Sequence, residues 1–226
     1  MVADEEVVVL CAGRTDTGVH ALHQVIHFET HAERKPHSWV YGGNANLIPD
    51  ISLLWAKPVN DDFHARYSAT GRCYRYLILN RSTRPGINYG FSAWEYRSLD
   101  IEGMSAAAKF LIGEHDFTSF RGRGCQAKNP VREIRRLDIS RKGEYIIIDV
   151  NANAFLMHMV RNIVGVLTSV GMGEQDPSWV KEVLLARDRK SAGITAPANG
   201  LYLMDIEYPE NFGIPKRSLP GWPVLE

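Results

Sequence analysis

The feature that most limits how this chain folds is a glycine-framed stretch, Cys11 to His20 (CAGRTDTGVH), set between two strand-forming runs. Val7 to Leu10 before it is wholly apolar, and Gln24 to Phe28 after it alternates. β-Branched and aromatic residues fit a pleated, half-buried surface, so both flanks read as strands and the stretch between them as a tight loop. Gly13 and Gly18 bracket it, and glycine lets a backbone adopt positive φ or approach a ligand closely. Inside sit one cation, Arg14, and one carboxylate, Asp16. Their spacing puts them side by side if the segment is extended. A neighbouring guanidinium favours an ionised carboxylate, and an ionised carboxylate in such a loop is a candidate nucleophile. The same residues also suit a simple turn in which Asp16 bonds nearby backbone.

A chain of 226 residues can bury one large core or two small ones. Its three cysteines, Cys11, Cys73 and Cys125, are odd in number and lack CxxC spacing. That argues against a disulfide framework or a structural zinc site and fits a reducing, cytoplasmic compartment. The start, MVADEE, is acidic and does not read as a signal peptide. The longest apolar stretch, Phe155 to Met172, is interrupted by His158, Arg161 and Asn162, which argues against a membrane span.

Net charge is zero, but it is unevenly divided. Residues 1–65 carry 4 Lys/Arg against 9 Asp/Glu, residues 66–142 carry 15 against 7, and residues 143–226 carry 7 against 10. A basic block inside a neutral protein is the footprint of a phosphate-binding surface, or of a solvated basic face. Arg66, Arg72, Arg75, Arg121, Arg123, Lys128, Arg132 and Arg136 are its candidate phosphate contacts.

Along the chain, Pro36 to Leu47 reads as a short helix and Ile51 to Ala56 as a strand. A break at Asn60-Asp61-Asp62 suggests a boundary near residue 65, giving units 1–65 and 66–226. Cys73 to Leu79 reads as a strand, Asp100 to Leu111 as a helix stopped by Gly113, and residues 135–151 as a hairpin around Lys142-Gly143. Phe155 to Val170 and Pro177 to Ala186 are predicted helices, and Leu201 to Tyr208 a last strand. Pro209, Pro215, Pro220 and Pro223 mark an extended, irregular tail. Mixed runs with hairpins predict an α+β fold with antiparallel sheet.

Two elements carry polar residues of interest. Tyr74 lies on a predicted strand between Arg72 and Arg75, a setting that suits base stacking as well as a core position. On the Phe155–Val170 helix, Leu156, Met159, Val160, Ile163, Val164 and Leu167 form an apolar stripe, while His158, Arg161, Asn162 and Gly165 share another face. That second face is expected to line a cleft. His20, His23, His27 and His31 recur at helical spacings, but strand-forming neighbours surround them and no cysteine or HExxH pattern accompanies them, so no metal site is expected.

AGRTDTGVHA closely resembles the signature of the tRNA pseudouridine synthase A (TruA) family, usually written GRTDxGVHA. QVIHFET, NANLIPD, DDFHARYSATGRCYRY, LIGEHDFTSFR, NAFLMHMVRNIVG and GLYLMDIEYP resemble the same family, in its order. The family usually opens with an extra strand and helix, including a YxGWQ-like stretch. Here ten residues precede Cys11, so the start reads as shortened.

The resemblance implies two α/β subdomains with abutting sheets and a central RNA-binding cleft. It implies isomerisation of uridine to pseudouridine at nucleotides 38–40 of the tRNA anticodon stem-loop, by a homodimer without cofactor. Asp16 would be the nucleophile, Tyr74 the residue stacked on the target base, and Arg161 the partner of Asp16. Arg14 would pair with Asp16 or fill the place of the flipped base. His20 and Asn162 join Arg66, Arg72, Arg75, Arg121 and Arg123 as expected substrate contacts. One alternative is an RNA-binding module of this fold without catalysis. Another is a glycoside hydrolase, whose second carboxylate (Glu29, Asp61 or Asp62) sits in no comparable motif.

Overall fold

A computed structural model describes residues 2–216. Its elements are β1 (Leu10–Cys11), β2 (His20–Ala21), β3 (Ile26–His27), α1 (Pro36–Asn46), β4 (Gly71–Asn80), β5 (Ala93–Glu95), α2 (Ile101–Ala108), β6 (Gly113–Asp116), β7 (Val131–Lys142), β8 (Tyr145–Ala152), α3 (Met159–Gly171), α4 (Trp179–Ala186) and β9 (Leu201–Glu207). The chain divides into two compact units. The smaller comprises the segment up to Arg14, Gln24–Ala69 and Tyr208–Lys216; the larger contains Thr15–His23 and Thr70–Glu207. The division is therefore not a single cut: the glycine-framed loop passes into the larger unit after Arg14 and out of it after His23.

In the smaller unit β1 and β3 pair antiparallel, Leu10 opposite His27 and Cys11 opposite Ile26. The Ala12 N–H to Val25 carbonyl bond continues that pairing. α1 starts at Pro36, whose missing N–H and fixed φ suit a first helical position. It buries no residue, so packing does little to hold it. Ile51 to Ala56 forms no strand, contrary to its pattern. Ile51 and Leu54 are both exposed, and without a paired edge an apolar run has no ladder to join.

The larger unit is built on a seven-stranded sheet: six strands run in the order β2-β9-β4-β8-β7-β6, and the seventh, β5, pairs with β4 off that path. β4 is its spine. It pairs antiparallel with β8 from Arg72 to Leu79 on one side. On the other it pairs with β9 from Gly71 to Tyr76 and then, parallel, with β5 from Ile78 to Asn80. Side chains alternate across the strand. Tyr76 and Ile78 join Ile146, Ile148 and the buried residues of α2, α3 and α4 on one face. Leu77 packs with Ile147, Tyr202 and Met204 on the other. Burial on both faces is why β4 reads as an uninterrupted apolar run from Tyr76 to Leu79.

Local chemistry fixes the ends. Asp100 caps α2 by accepting the Glu102 N–H at 2.9 Å. Lys142 and Tyr145 close the β7–β8 hairpin across a two-residue loop with Gly143 at φ +56°. α3 begins at Met159, four residues later than its apolar pattern suggests, because His158 before it is left-handed at φ 60°, ψ 3°. Among the described residues no helix is long and apolar enough to cross a membrane. Of the tail prolines, Pro220 and Pro223 lie outside the described residues.

Candidate active site

Helix α3 is fixed first by its apolar stripe: Met159, Val160, Ile163, Val164 and Leu167 are all buried in the core of the larger unit. Fully burying one such side chain contributes about 1.5–3 kcal/mol, so the helix has little freedom to roll. This holds Arg161 at its edge, where 16 % of the side chain is exposed. The Arg161 Nε donates to the Ala196 carbonyl at 2.8 Å, and the Ala196 N–H donates back to the Arg161 carbonyl at 3.1 Å. The segment carrying Ala196 can lie this close because residue 165 is glycine. A Cβ there would stand 2.0 Å from the Ile194 carbonyl oxygen. With its Nε anchored, Arg161 extends Nη1 to Asp16 Oδ2 at 2.9 Å.

Asp16 reaches this point through a turn. Its carbonyl accepts the Val19 N–H at 3.0 Å, with Gly18 between them at φ +84°. A type II turn places a positive φ at that third position, which explains the second bracketing glycine. The Asp16 side chain is 34 % exposed, so the carboxylate is held yet accessible. His158 Nε2 lies 3.3 Å from the same oxygen, Oδ2.

Tyr74 comes from β4 at a register shift in its pairing with β9, between Cys73 and Tyr74. Such bulges re-aim a side chain. Its ring meets the edge of Phe155 with centroids 5.1 Å apart. Burial pushes the Tyr74 hydroxyl up to about 12; the Arg72 charge opposes this and the Asp16 carboxylate adds to it. Tyr74 is therefore a neutral phenol at physiological pH, within electrostatic reach of Asp16.

The larger unit thus brings together Asp16, Arg161, Tyr74 and His158. The remaining expected residues are placed elsewhere or engaged otherwise. Arg14 belongs to the smaller unit and is exposed. Arg66 is also in that unit, with its guanidinium 5.7 Å from the Tyr67 ring centre. The His20 ring stacks with Tyr202 and Phe91, at 4.6 and 5.3 Å, and bonds the Gly90 carbonyl, so it steadies the loop from within. Arg72 donates to the Asn153 carbonyl at 3.2 Å and Arg121 to the Cys125 carbonyl at 2.6 Å, while Arg123 is exposed.

Two of the expected residues are engaged within the fold. Arg75 is not a spare cation: its Nε and Nη2 donate to Asp149 Oδ1 and Oδ2 at 2.8 and 2.9 Å across the β4–β8 ladder. Asn162 does not line a cleft: it is fully buried, donates to the Phe120 carbonyl at 2.7 Å, and accepts from Arg189 and Thr195. Helical spacing places it beside Arg161 but does not distinguish a cleft from a polar socket in the core.

The four spaced histidines do not converge. His23 bonds Asp205 at 2.6 Å, and His27 accepts the Ala65 N–H at 3.2 Å in the other unit. Among the described residues no group of three or more His, Cys, Asp or Glu side chains is arranged to hold a metal ion. All three cysteines are free. The packing of Phe155 on Tyr74 and the anchoring Ala196 carbonyl carried no signal in the sequence. His158 did, through its place on the same face as Arg161.

Comparison with known proteins gives the chain's family. A family described as tRNA pseudouridine synthase matches residues 107–209. A protein of Nitrosococcus oceani named tRNA pseudouridine synthase A is 54 % identical over 219 residues, covering 97 % of this chain and 85 % of its own. One of the same name from Coxiella burnetii is 55 % identical over 218 residues, covering 96 % and 84 %. Another from Vibrio campbellii is 54 % identical over 217 residues, covering 96 % and 82 %. With more than half its residues shared over nearly its full length, this chain belongs to the tRNA pseudouridine synthase A family.

Proposed function

We propose that this chain isomerises uridine to pseudouridine in tRNA, at nucleotides 38–40 of the anticodon stem-loop, with Asp16 as the nucleophile. The observation that carries the reading is the Asp16 carboxylate, one-third exposed, held at 2.9 Å by Arg161 and close enough to Tyr74 to influence its ionisation.

The reaction breaks the C1′–N1 bond, turns the uracil, and joins C1′ to C5. C5 gives up a proton and N1 gains one, so the product has the atoms and electrons of the substrate and no cofactor is required. A carboxylate oxygen supplies the nucleophile for the first step. Arg161 keeps that carboxylate aimed, a contribution of the preorganised electrostatic kind. Tyr74, held as a phenol, offers a ring for the extruded base to stack on and an O–H to donate.

Arg66, Arg72, Arg121 and Arg123 contact phosphates, which positions the RNA without reading its sequence. Arg75 and Asn162, engaged inside the larger unit, act on the substrate only through the fold. The enzyme works in the cytoplasm as a homodimer, with tRNA as its partner.

Incubation with unmodified tRNA transcript, followed by pseudouridine mapping, tests the reading. Pseudouridine at one or more of nucleotides 38–40 is expected. Binding of tRNA without any pseudouridine would overturn it and favour an RNA-binding module.

A further inference from the structure

We propose that His158 is a positioning residue for Asp16: with Arg161 it pins one carboxylate oxygen, Oδ2, and thereby presents the other, Oδ1, as the reacting atom. This deepens the proposed function and rests on Asp16 being the nucleophile.

Arg161 and His158 converge on one atom. Arg161 Nη1 lies 2.9 Å and His158 Nε2 3.3 Å from Asp16 Oδ2. Oδ1 has no hydrogen-bond partner among the described residues. A carboxylate accepts only, so the imidazole contact is favourable when Nε2 carries the proton. One donor holds the oxygen at a distance; a second donor to the same oxygen also restrains rotation of the carboxylate, because donors prefer to lie near its plane. Contacts of this kind are often long before substrate binds and tighten in the complex.

The backbone at His158 supports a positional role. It is left-handed, at φ 60°, a conformation that non-glycine residues keep only when their surroundings impose it. Helix capping does not explain it, since the His158 side chain makes no bond to the first turn of α3. Gly122 explains how it is imposed. Its N–H donates to the Met157 carbonyl at 2.8 Å, holding the chain just before His158. A Cβ on Gly122 would lie 2.9 Å from His158 Nδ1 and 3.0 Å from Cγ, so the ring is seated directly against bare backbone. The same short connection carries Phe155, whose ring packs on Tyr74. One segment between β8 and α3 therefore positions both the carboxylate and the stacking tyrosine.

The test compares His158→Phe, which keeps a ring without a donor, with His158→Gln, which keeps a donor, and with Gly122→Ala. Gly122 is not in the left-handed region, so alanine there disturbs the imidazole and not its own backbone. Rates of conversion of bound tRNA, tRNA affinity and melting temperature are read for each. His158→Phe is expected to slow conversion of bound tRNA by roughly 30-fold with affinity within about threefold, the signature of a contact that acts in the reaction rather than in binding. His158→Gln recovers most of that loss. Gly122→Ala slows conversion too, and adds nothing further in the His158→Phe background, as residues acting through one contact should.

A His158→Phe rate within about threefold of the parent, or a His158→Gln as slow as His158→Phe, would overturn the proposal. If His158→Phe does not fold, Gly122→Ala decides alone, and a parental rate there counts against His158. Asp16→Asn run alongside separates the two levels. Turnover by Asp16→Asn removes the proposed function itself; an inactive Asp16→Asn beside a parental His158→Phe removes only His158.

Discussion

Two arginine–aspartate pairs in the larger unit use the same chemistry in opposite ways. Arg75 and Asp149 face each other in register across β4 and β8, and two parallel bonds at 2.8 and 2.9 Å engage both carboxylate oxygens. Arg161 and Asp16 lie 145 residues apart in sequence, and one bond at 2.9 Å engages a single oxygen. The other end of the Arg161 guanidinium is anchored on the Ala196 carbonyl. Exposure does not separate the pairs, since the Asp149 and Asp16 side chains are 30 % and 34 % exposed. The difference is saturation. A forked pair engages both oxygens, whereas a pair held at one corner leaves one oxygen unengaged.

The largest effect is expected from the two arginines. Arg161→Ala should lower the conversion rate of bound tRNA by about 100-fold, the usual loss for one preorganised donor, with affinity nearly unchanged. Arg75→Ala should leave turnover within about threefold and instead cost about 1 kcal/mol of stability, discounted for its partial exposure. Single-turnover kinetics and urea unfolding of both variants would read this. Equal kinetic losses would erase the distinction.

Gly165→Ala sharpens it by moving the anchor. The new Cβ would meet the Ile194 carbonyl, so the 194–196 segment must shift away from α3. Overpacking of this kind costs about 1–3 kcal/mol. A lower melting temperature and roughly tenfold slower turnover are expected, because a misplaced catalytic group is costly in rate. Slower turnover restored by no other change than cooling would point to stability alone.

Tyr74 gives a pH-dependent effect. Its folded hydroxyl sits at about 12, above the ordinary value of 10. Between these values the unfolded chain has released a proton that the folded chain still holds. Stability from this group is complete below pH 10 and declines as pH rises toward 12. Tyr74→Phe should remove about 1–2 kcal/mol of that decline, measured by urea unfolding at the two ends of the window. An identical decline in the variant would mean that other tyrosines account for it; Tyr202 is also raised to about 12.

The smallest effect concerns two thiols that differ in the same sense as the two carboxylates. Burial pushes the Cys73 thiol up, against a bond from Asn151. The Cys125 thiol is lowered despite burial, by the Ala127 and Met157 N–H groups and the Arg121 charge. Cys125 should alkylate several-fold faster than Cys73 near pH 8, because the thiolate is the reacting form.

Much of this was legible in the residues. Continuous apolar runs marked β4, β8 and β9, a two-residue turn marked the hairpin, and an apolar stripe marked α3. Strands of two to four residues, β2, β5 and β6, were not legible, since their pairing depends on partners elsewhere in the chain. Ile51 to Ala56 shows the converse, a strand pattern with no edge to join. In the site, resemblance pointed to Asp16, Tyr74 and Arg161. The saturation of Arg75 was not visible, because nothing in sequence spacing says that Asp149 lies opposite it. Nor was the socket around Asn162, whose partners come from Phe120, Arg189 and Thr195.

The most direct measurement sets Asp16→Asn beside Asp149→Asn, with unmodified tRNA bound to each and pseudouridine mapped over time. Each change removes one carboxylate charge from an arginine pair. The account predicts no pseudouridine from Asp16→Asn at tRNA occupancy within about tenfold of the parent, and near-parental conversion by Asp149→Asn. Pseudouridine formation by Asp16→Asn, at any rate comparable with the parent, would contradict it.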